Sequence, residues 1–458
     1  MWLGKVSALA FLVGAGSSPA LALDLTEAVA VAIQSNPQIN QAVQNKEAIE
    51  FERKQAQGLY LPRISVEGSA GVRQTDSPTR RLLGTDDDVL YPVEGELVAE
   101  QTLFDSGARR SELSRQAART DGAANRVEER SQFIALEVTR RYIDYLLQQR
   151  IVAAADDNIA FHEKLTGDLR EGVRQGSISI ADQQQAEERL QASLARRTEA
   201  QEELENAGIS FRTLTGLAID NATVPPTMAA KLPPTLEEAI ALSRQNNPLV
   251  REALADIDAA HAVVDGARAN MGPRVSLEGR GRYGQDVDGY RGRTSDVLGR
   301  VVVRWNIFNG VDSANVQENV RRASETRYRL HEVTRQAEED VRTGWNRYKS
   351  QTKLLEDLDR QNAVSNDLIL SYREQFSVGR RSLLDVLDAQ NTRYNVQVQA
   401  ETARLAKLFA EYRVLASINE LLDALSLQPQ KASVADARRR FDVQPTPPAE
   451  VMERRLPN

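Results

Sequence analysis

Four stretches of the chain alternate between apolar and polar positions. Ile64, Val66, Gly68, Ala70 and Val72 alternate with Ser65, Glu67, Ser69, Gly71 and Arg73. Val93, Gly95, Leu97, Ala99 and Leu103 share a stretch with Glu94, Glu96, Glu100 and Thr102. In the second half Val275, Leu277 and Tyr283 alternate with Ser276, Glu278, Arg280 and Arg282, and Val297, Val301, Val303, Trp305 and Ile307 with Arg300, Arg304 and Asn306. A period of two predicts strands, each with one apolar and one charged face. Strands of about ten to twelve residues with this pattern fit a membrane-spanning β-barrel; half-buried strands of a soluble sheet are the other arrangement the alternation allows. Four strands cannot close a barrel, for which about eight are needed. An open edge in lipid would leave backbone groups unpaired. If these strands span a membrane, several copies must share one barrel, with Glu94, Glu96, Glu100, Arg280, Arg300 and Arg304 lining water.

Between Pro92 and Pro225, and again between Pro273 and Pro429, there is no proline. Proline inside a helix costs about 3 kcal/mol, so long helices belong in these gaps. One is predicted from about Gly107 to Gln175, roughly 100 Å at 1.5 Å per residue; the other runs from about Val311 to Ser377. Val341, Trp345 and Tyr348, then Leu368, Tyr372 and Phe376, recur at helical spacing with charged residues elsewhere, the pattern of a narrow coiled-coil-like seam. Each helix ends at a glycine tip, Gly176-Ser177-Ile178-Ser179 and Gly379-Arg380-Arg381-Ser382, and a returning helix follows from about Ile180 and Leu383.

The chain repeats itself. Leu25-Thr26-Glu27-Ala28 leads to Asn36-Pro37, and Leu236-Glu237-Glu238-Ala239 leads to Asn247-Pro248 at the same spacing. Pro62-Arg63-Ile64-Ser65 matches Pro273-Arg274-Val275-Ser276, and Leu103-Phe104-Asp105 matches Ile307-Phe308-Asn309. A period of about two hundred residues is far longer than the 20–50 of a solenoid, so this is a duplicated domain. The expected organisation is a leader at 1–22, a first repeat at 23–216, a linker at 217–234 with two Pro-Pro pairs, a second repeat at 235–427 and a disordered tail at 428–458. Lys5, the short apolar run Val6 to Gly16 and Ala20-Leu21-Ala22 give the leader the form of a secretory signal, with Leu23 as the first mature residue.

Composition narrows the chemistry. The 458 residues carry a net charge of −7, 27% charged side chains and only 5% aromatic ones; this suits long helices and argues against a nucleic-acid binder. There is no cysteine, which excludes disulfides, thiolate metal sites, thiol catalysis and a lipidated N-terminal cysteine. His162, His261 and His331 stand apart, and no catalytic or metal-binding motif accompanies them, so no enzyme activity, metal or cofactor is expected. Gly279-Arg280-Gly281-Arg282-Tyr283-Gly284 spells a dinucleotide fingerprint, but it lies inside a predicted strand with no helix opening after it. Past the second tip, Asp385 and Asp388 share one helix face. A solvated helix start, where the dipole favours acids, accounts for them without any function; the first copy has only Asp182, with Gln185 at the place of Asp388.

Taken together, the duplicated openings, the Pro-Arg-x-Ser strand starts, the Leu-Phe-Asp strand ends and above all Val378-Gly379-Arg380-Arg381-Ser382-Leu383-Leu384-Asp385-Val386-Leu387-Asp388-Ala389 resemble the TolC-type outer-membrane efflux protein family over about Leu23 to Leu427. The resemblance implies a mainly α protein with membrane β. Its halves would be helix-strand-strand-helix units, and three copies would form a twelve-stranded barrel and a long α-helical periplasmic tunnel. It implies a periplasmic gate at the tips: acidic rings at Asp385 and Asp388, and Arg381 with Asp182 of a neighbouring hairpin holding the closed state. The family's tyrosine at that link falls on Phe376 and its threonine on Ala181, so this chain departs from the pattern there.

The function so implied is an exit channel of a tripartite export system in the bacterial outer membrane, extending into the periplasm. Its partners would be two further copies, outer-membrane lipid, a periplasmic adaptor and an inner-membrane ABC or proton-driven pump. The missing lipidation cysteine favours type I protein secretion over multidrug or small-molecule efflux. A soluble periplasmic coiled-coil adaptor is a third reading, against which the alternating strands count.

Overall fold

A computed structural model describes residues 23–446; the expected leader and residues 447–458 lie outside the described residues. The first repeat contains α1 (Leu25–Ser35), α2 (Pro37–Gly58), β1 (Arg63–Ala70), β2 (Arg73–Gln74), α3 (Pro78–Leu83), β3 (Val89–Leu90), β4 (Val93–Phe104), α4 (Ala108–Arg174) and α5 (Ile180–Thr215). The second contains α6 (Leu236–Asn246), α7 (Pro248–Ala269), β5 (Arg274–Gln285), β6 (Arg293–Arg304), α8 (Gly310–Ser377) and α9 (Leu383–Ser417). Short helices α10 (Leu421–Ala424) and α11 (Ala437–Arg440) follow.

The repeated motifs mark element boundaries. Asn36 and Asn247 end α1 and α6, and Pro37 and Pro248 open the next helix, where proline's missing N–H is harmless. Asn247 Oδ1 accepts from the Leu249 N–H at 2.9 Å. Asp105 turns strand β4 into helix α4: its carboxylate accepts from the N–H of Gly107 and Arg109 at 3.2 and 3.1 Å and from Arg109 Nε at 2.7 Å. Asn309 does the simpler half of this in the second copy, accepting from the Val311 N–H at 3.0 Å.

Two compact units emerge, and neither coincides with a repeat. One takes Asn36 and the described residues before it, Ile134–Leu232 and Asn346–Arg413. The other takes Pro37–Phe133, Pro233–Trp345 and the described residues from Val414 on.

The second unit holds the sheet, in the antiparallel order β1-β4-β5-β6, so that β4 of the first repeat pairs with β5 of the second. The strands differ at two ends from the alternation. Strand β1 stops at Ala70, and Arg73–Gln74 pair instead with Val89–Leu90 in a separate ribbon. Strand β6 stops at Arg304, opposite Arg274. The residue before Arg274 is Pro273, which has no N–H to extend the ladder; Trp305 instead donates its indole N–H to the Met271 carbonyl at 3.0 Å. In the same unit Val250, Ala253 and Ile257 of α7 pack on Leu330 and Ala337 of α8.

The tail expectation is corrected for residues 428–446. Arg438 reaches Asp121 of α4 at 2.9 Å and Asp258 of α7 at 2.6 Å. Asp121 also accepts the N–H groups of Ala437 and Arg438, and Asp258 that of Thr446. Phe441 lies under the Arg53 guanidinium, 4.7 Å from ring centre to Cζ. Asp121 and Asp258 are only 2% and 5% exposed, so this segment is a clasp that compensates two buried charges.

In the first unit most of the proline-rich run, residues 217–232, is pinned to the helices. Tyr142 donates to the Leu23 carbonyl at 2.6 Å and accepts from the Thr223 N–H at 2.9 Å. Tyr145 donates to the Asp220 carbonyl and Tyr412 to that of Pro226. The buried Glu411 carboxylate accepts from Thr227 Oγ1 and the Met228 N–H at 2.7 and 2.8 Å. Burial pushes the Tyr412 phenol well above its ordinary value, with Glu411 adding to the effect, which keeps it a donor.

Candidate functional site

Cross-strand register puts all six charged strand residues singled out in the sequence on one face. Glu94, Glu96 and Glu100 stand opposite Gly284, Arg282 and Glu278; Arg280, Arg300 and Arg304 stand on the same face of β5 and β6. Arg280 reaches Glu96 at 2.6 Å. Glu278, which the strand pattern placed there without marking it as special, is the hub: Arg300 lies 2.8 Å and Arg304 2.6 Å from its carboxylate. Arg304 also stands 3.9 Å from Glu100, and Arg282 stands 3.9 Å from Glu94. The Gly279 to Gly284 run lies wholly within β5, so the fingerprint spelling has no helix N-terminus to act with.

The opposite face is apolar and, within one chain, uncovered. Val66 and Val297 are 78% and 89% exposed, and Ile64, Leu97, Val301 and Val303 are exposed as well. Among the described residues no helix is long and apolar enough to cross a membrane.

The tips of the helical hairpins belong to the other unit. Both use one turn. Gly176 and Gly379 adopt φ of 75° and 74°, a left-handed conformation that glycine takes without strain. In each a serine then caps the returning helix and an acid three residues on returns the bond. Ser179 Oγ accepts from the Asp182 N–H at 3.1 Å and donates to its carboxylate at 2.7 Å. Ser382 and Asp385 do the same at 3.2 and 2.8 Å. Asp182 and Asp385 are therefore the same capping-box position in the two copies. Asp388 is exposed one turn further along α9.

Within one chain Arg381 pairs with Asp385, at 3.8 Å, and not with Asp182. Its guanidinium lies over the Tyr372 ring, 4.1 Å from the centroid. Phe376 packs with Tyr372, Phe161 and Ile178 on a core of Leu165, Leu169, Ile369, Leu383, Val386 and Leu387 that joins the two hairpins. Ile369 fills the seam position expected of Leu368, which is exposed. A buried amide pair, Gln390 Nε2 donating to Asn158 Oδ1 at 2.8 Å, ties the hairpins further along. The sequence had marked neither this pair nor the Tyr372 contact; glutamine and asparagine on polar-rich helices read as solvated.

A profile of the family described as Outer membrane efflux protein matches residues 28–217 and 239–420, both repeats. The chain belongs to the outer membrane efflux protein family. It is similar to the alkaline protease secretion protein AprF of Pseudomonas aeruginosa, 24% identical over 408 residues, covering 86% of this chain and 84% of that one. It is similar to the outer membrane efflux protein BepC of Brucella suis, 23% identical over 417 residues, covering 89% and 88%. Its fold matches the Campylobacter jejuni CmeC outer membrane channel with a TM-score of 0.75, at 16% identity, over 91% of this chain and 88% of that one.

This efflux-family protein is thus an outer-membrane channel extending into the periplasm, a transport component and not an enzyme. Channels of this type are trimeric and form part of tripartite exporters. The mainly α fold with β-strands that the resemblance implied is the fold of the family, long helices with short strands.

Proposed function

We propose that three copies of this chain close a twelve-stranded barrel and serve as the exit duct of a type I protein secretion system. The observation that carries the reading is the four-stranded sheet, with β1 and β6 unpaired along their outer edges and one face largely apolar and exposed. Lipid satisfies that face, and only further copies satisfy those edges. The charged face then lines water, and the hairpin tips, carrying Asp385, Asp388, Arg381 and Asp182, form the periplasmic gate and meet the adaptor. An inner-membrane ABC transporter supplies the energy.

Protein cargo is supported by the name of AprF, a protease secretion protein, and by the absence of a cysteine for lipidation. Small-molecule efflux, with a proton-driven pump, is the second reading, supported by the name of BepC. Deleting the gene separates them. Loss of a large protein from the culture medium, with unchanged susceptibility to toxic compounds, is the expected result. Hypersensitivity with an intact set of secreted proteins would overturn secretion. A purified protein running as a monomer in mild detergent, with its β-signal retained, would overturn the shared barrel.

A further inference from the structure

The charged face of the sheet cancels its own charge. Register assigns it the acids Glu67, Glu94, Glu96, Glu100, Glu278 and Asp296, and the bases Arg63, Arg274, Arg280, Arg282, Arg300 and Arg304. The signs are also sorted by strand. All three β4 charges are acidic, while β5 and β6 are mostly basic, and the pairs Glu96–Arg280, Glu278–Arg300 and Glu278–Arg304 knit the strands together at 2.6–2.8 Å.

We infer that the barrel section is a charge-balanced lining that selects for neither sign of ion and passes unfolded polypeptide of mixed charge without holding it. A bore lined by one sign would concentrate the opposite ion and retain cargo of opposite charge. Here every acid has a base on its own or the adjacent strands. Exposed ion pairs are individually weak, so a passing carboxylate or ammonium group gains nothing lasting by displacing a partner. The inference rests on the proposed reading that this face lines the bore.

The test uses the full-length protein in planar bilayers under a KCl gradient. Asp385→Ala with Asp388→Ala is the background, so that acids at the tips do not mask the wall. The expected K⁺-to-Cl⁻ permeability ratio in that background is close to unity. Adding E94Q, E96Q and E100Q lowers it below unity; adding R280Q, R300Q and R304Q raises it above. Unfolded polylysine and polyglutamate added as probes block the background channel for similar times, and each triple variant makes those times unequal. Strong selectivity persisting in the background overturns the balanced wall and leaves the duct reading intact. A ratio unmoved by either triple variant, with conductance retained, means these residues do not face the bore, and both readings fall. If a triple variant does not assemble, the swapped pair Glu96→Arg with Arg280→Glu replaces it: near-unity selectivity supports the balance, and a marked shift overturns it.

Discussion

The Arg381 guanidinium sits on the face of the Tyr372 ring, 4.1 Å from its centre. One helical turn later Phe376, which has no hydroxyl, packs on the hydrophobic core of the hairpins. The Tyr372 ring face is thus the aromatic surface on which the arginine rests. Such a contact is worth about 0.5–1 kcal/mol at an exposed site and more when shielded from water. In single-channel recordings Tyr372→Leu is expected to raise basal conductance, as is Arg381→Ser. Tyr372→Phe keeps the ring and should conduct like the parent. A closed Tyr372→Leu channel beside an open Arg381→Ser one would show that Asp385, or another copy's Asp182, carries the latch alone.

Three copies of Asp385 and Asp388 around one axis would attract multivalent cations, which can bridge several carboxylates. Replacing both by Ala is expected to relieve block by trivalent cations at the periplasmic side. Because the Asp385 carboxylate accepts from Ser382 Oγ and lies in the first turn of α9, Asp385→Ala alone should also cost about 0.3–1 kcal/mol of helix stability, whereas Asp388→Ala, beyond that turn, should cost less. Unchanged block in the double variant would place the constriction elsewhere.

Replacing Arg438 by Ala leaves Asp121 and Asp258 buried without their cation, and removing residues 428–458 strips them of the cation and of the N–H groups of Ala437, Arg438 and Thr446. Breaking a buried pair in this way costs roughly 3–5 kcal/mol. Both variants are expected to lower the urea midpoint and the yield of trimer on unheated gels. Adding Asp121→Asn and Asp258→Asn to Arg438→Ala should restore much of the loss, because the stranded charges are then gone. Parent-like stability of Arg438→Ala would show that the clasp is idle.

His162, on α4, is buried, and burial followed by the nearby Arg189 and Arg196 pulls its pKa down from 6.5 to about 4. A histidine that stays neutral when folded but charges when unfolded contributes stability above its unfolded value. That contribution is lost as pH falls from 6.5 toward 4, where it levels off, and amounts to at most roughly 3 kcal/mol per chain. His162→Leu is therefore expected to flatten the dependence of the melting temperature on pH between 7 and 4. An unchanged slope would mean that other groups account for the acid sensitivity.

Much of the architecture was legible because period and proline are local signals. The alternation located β4 and β5 nearly to the residue, and the gaps between prolines located α4 and α8. What escaped was long-range. Nothing distinguishes Arg438 from Arg439 and Arg440 in sequence, since a run of arginines reads as a solvated surface until Asp121 and Asp258 are seen beneath one of them. The same is true of Asn158 and Gln390, 232 residues apart. At the tips the spacing of Arg381, Asp385 and Asp388 was readable, but the ring that Arg381 rests on depended on how α8 turns toward the hairpin.

The clasp also bears on the order in which the molecule is made. Ribosomes finish Arg63 to Arg304, every strand among the described residues, long before they reach Arg438. A chain terminated before Arg438 would carry the whole sheet and lack the residue that neutralises Asp121 and Asp258. Two carboxylates laid down with α4 and α7 therefore wait for a cation that the chain supplies only long after its last strand.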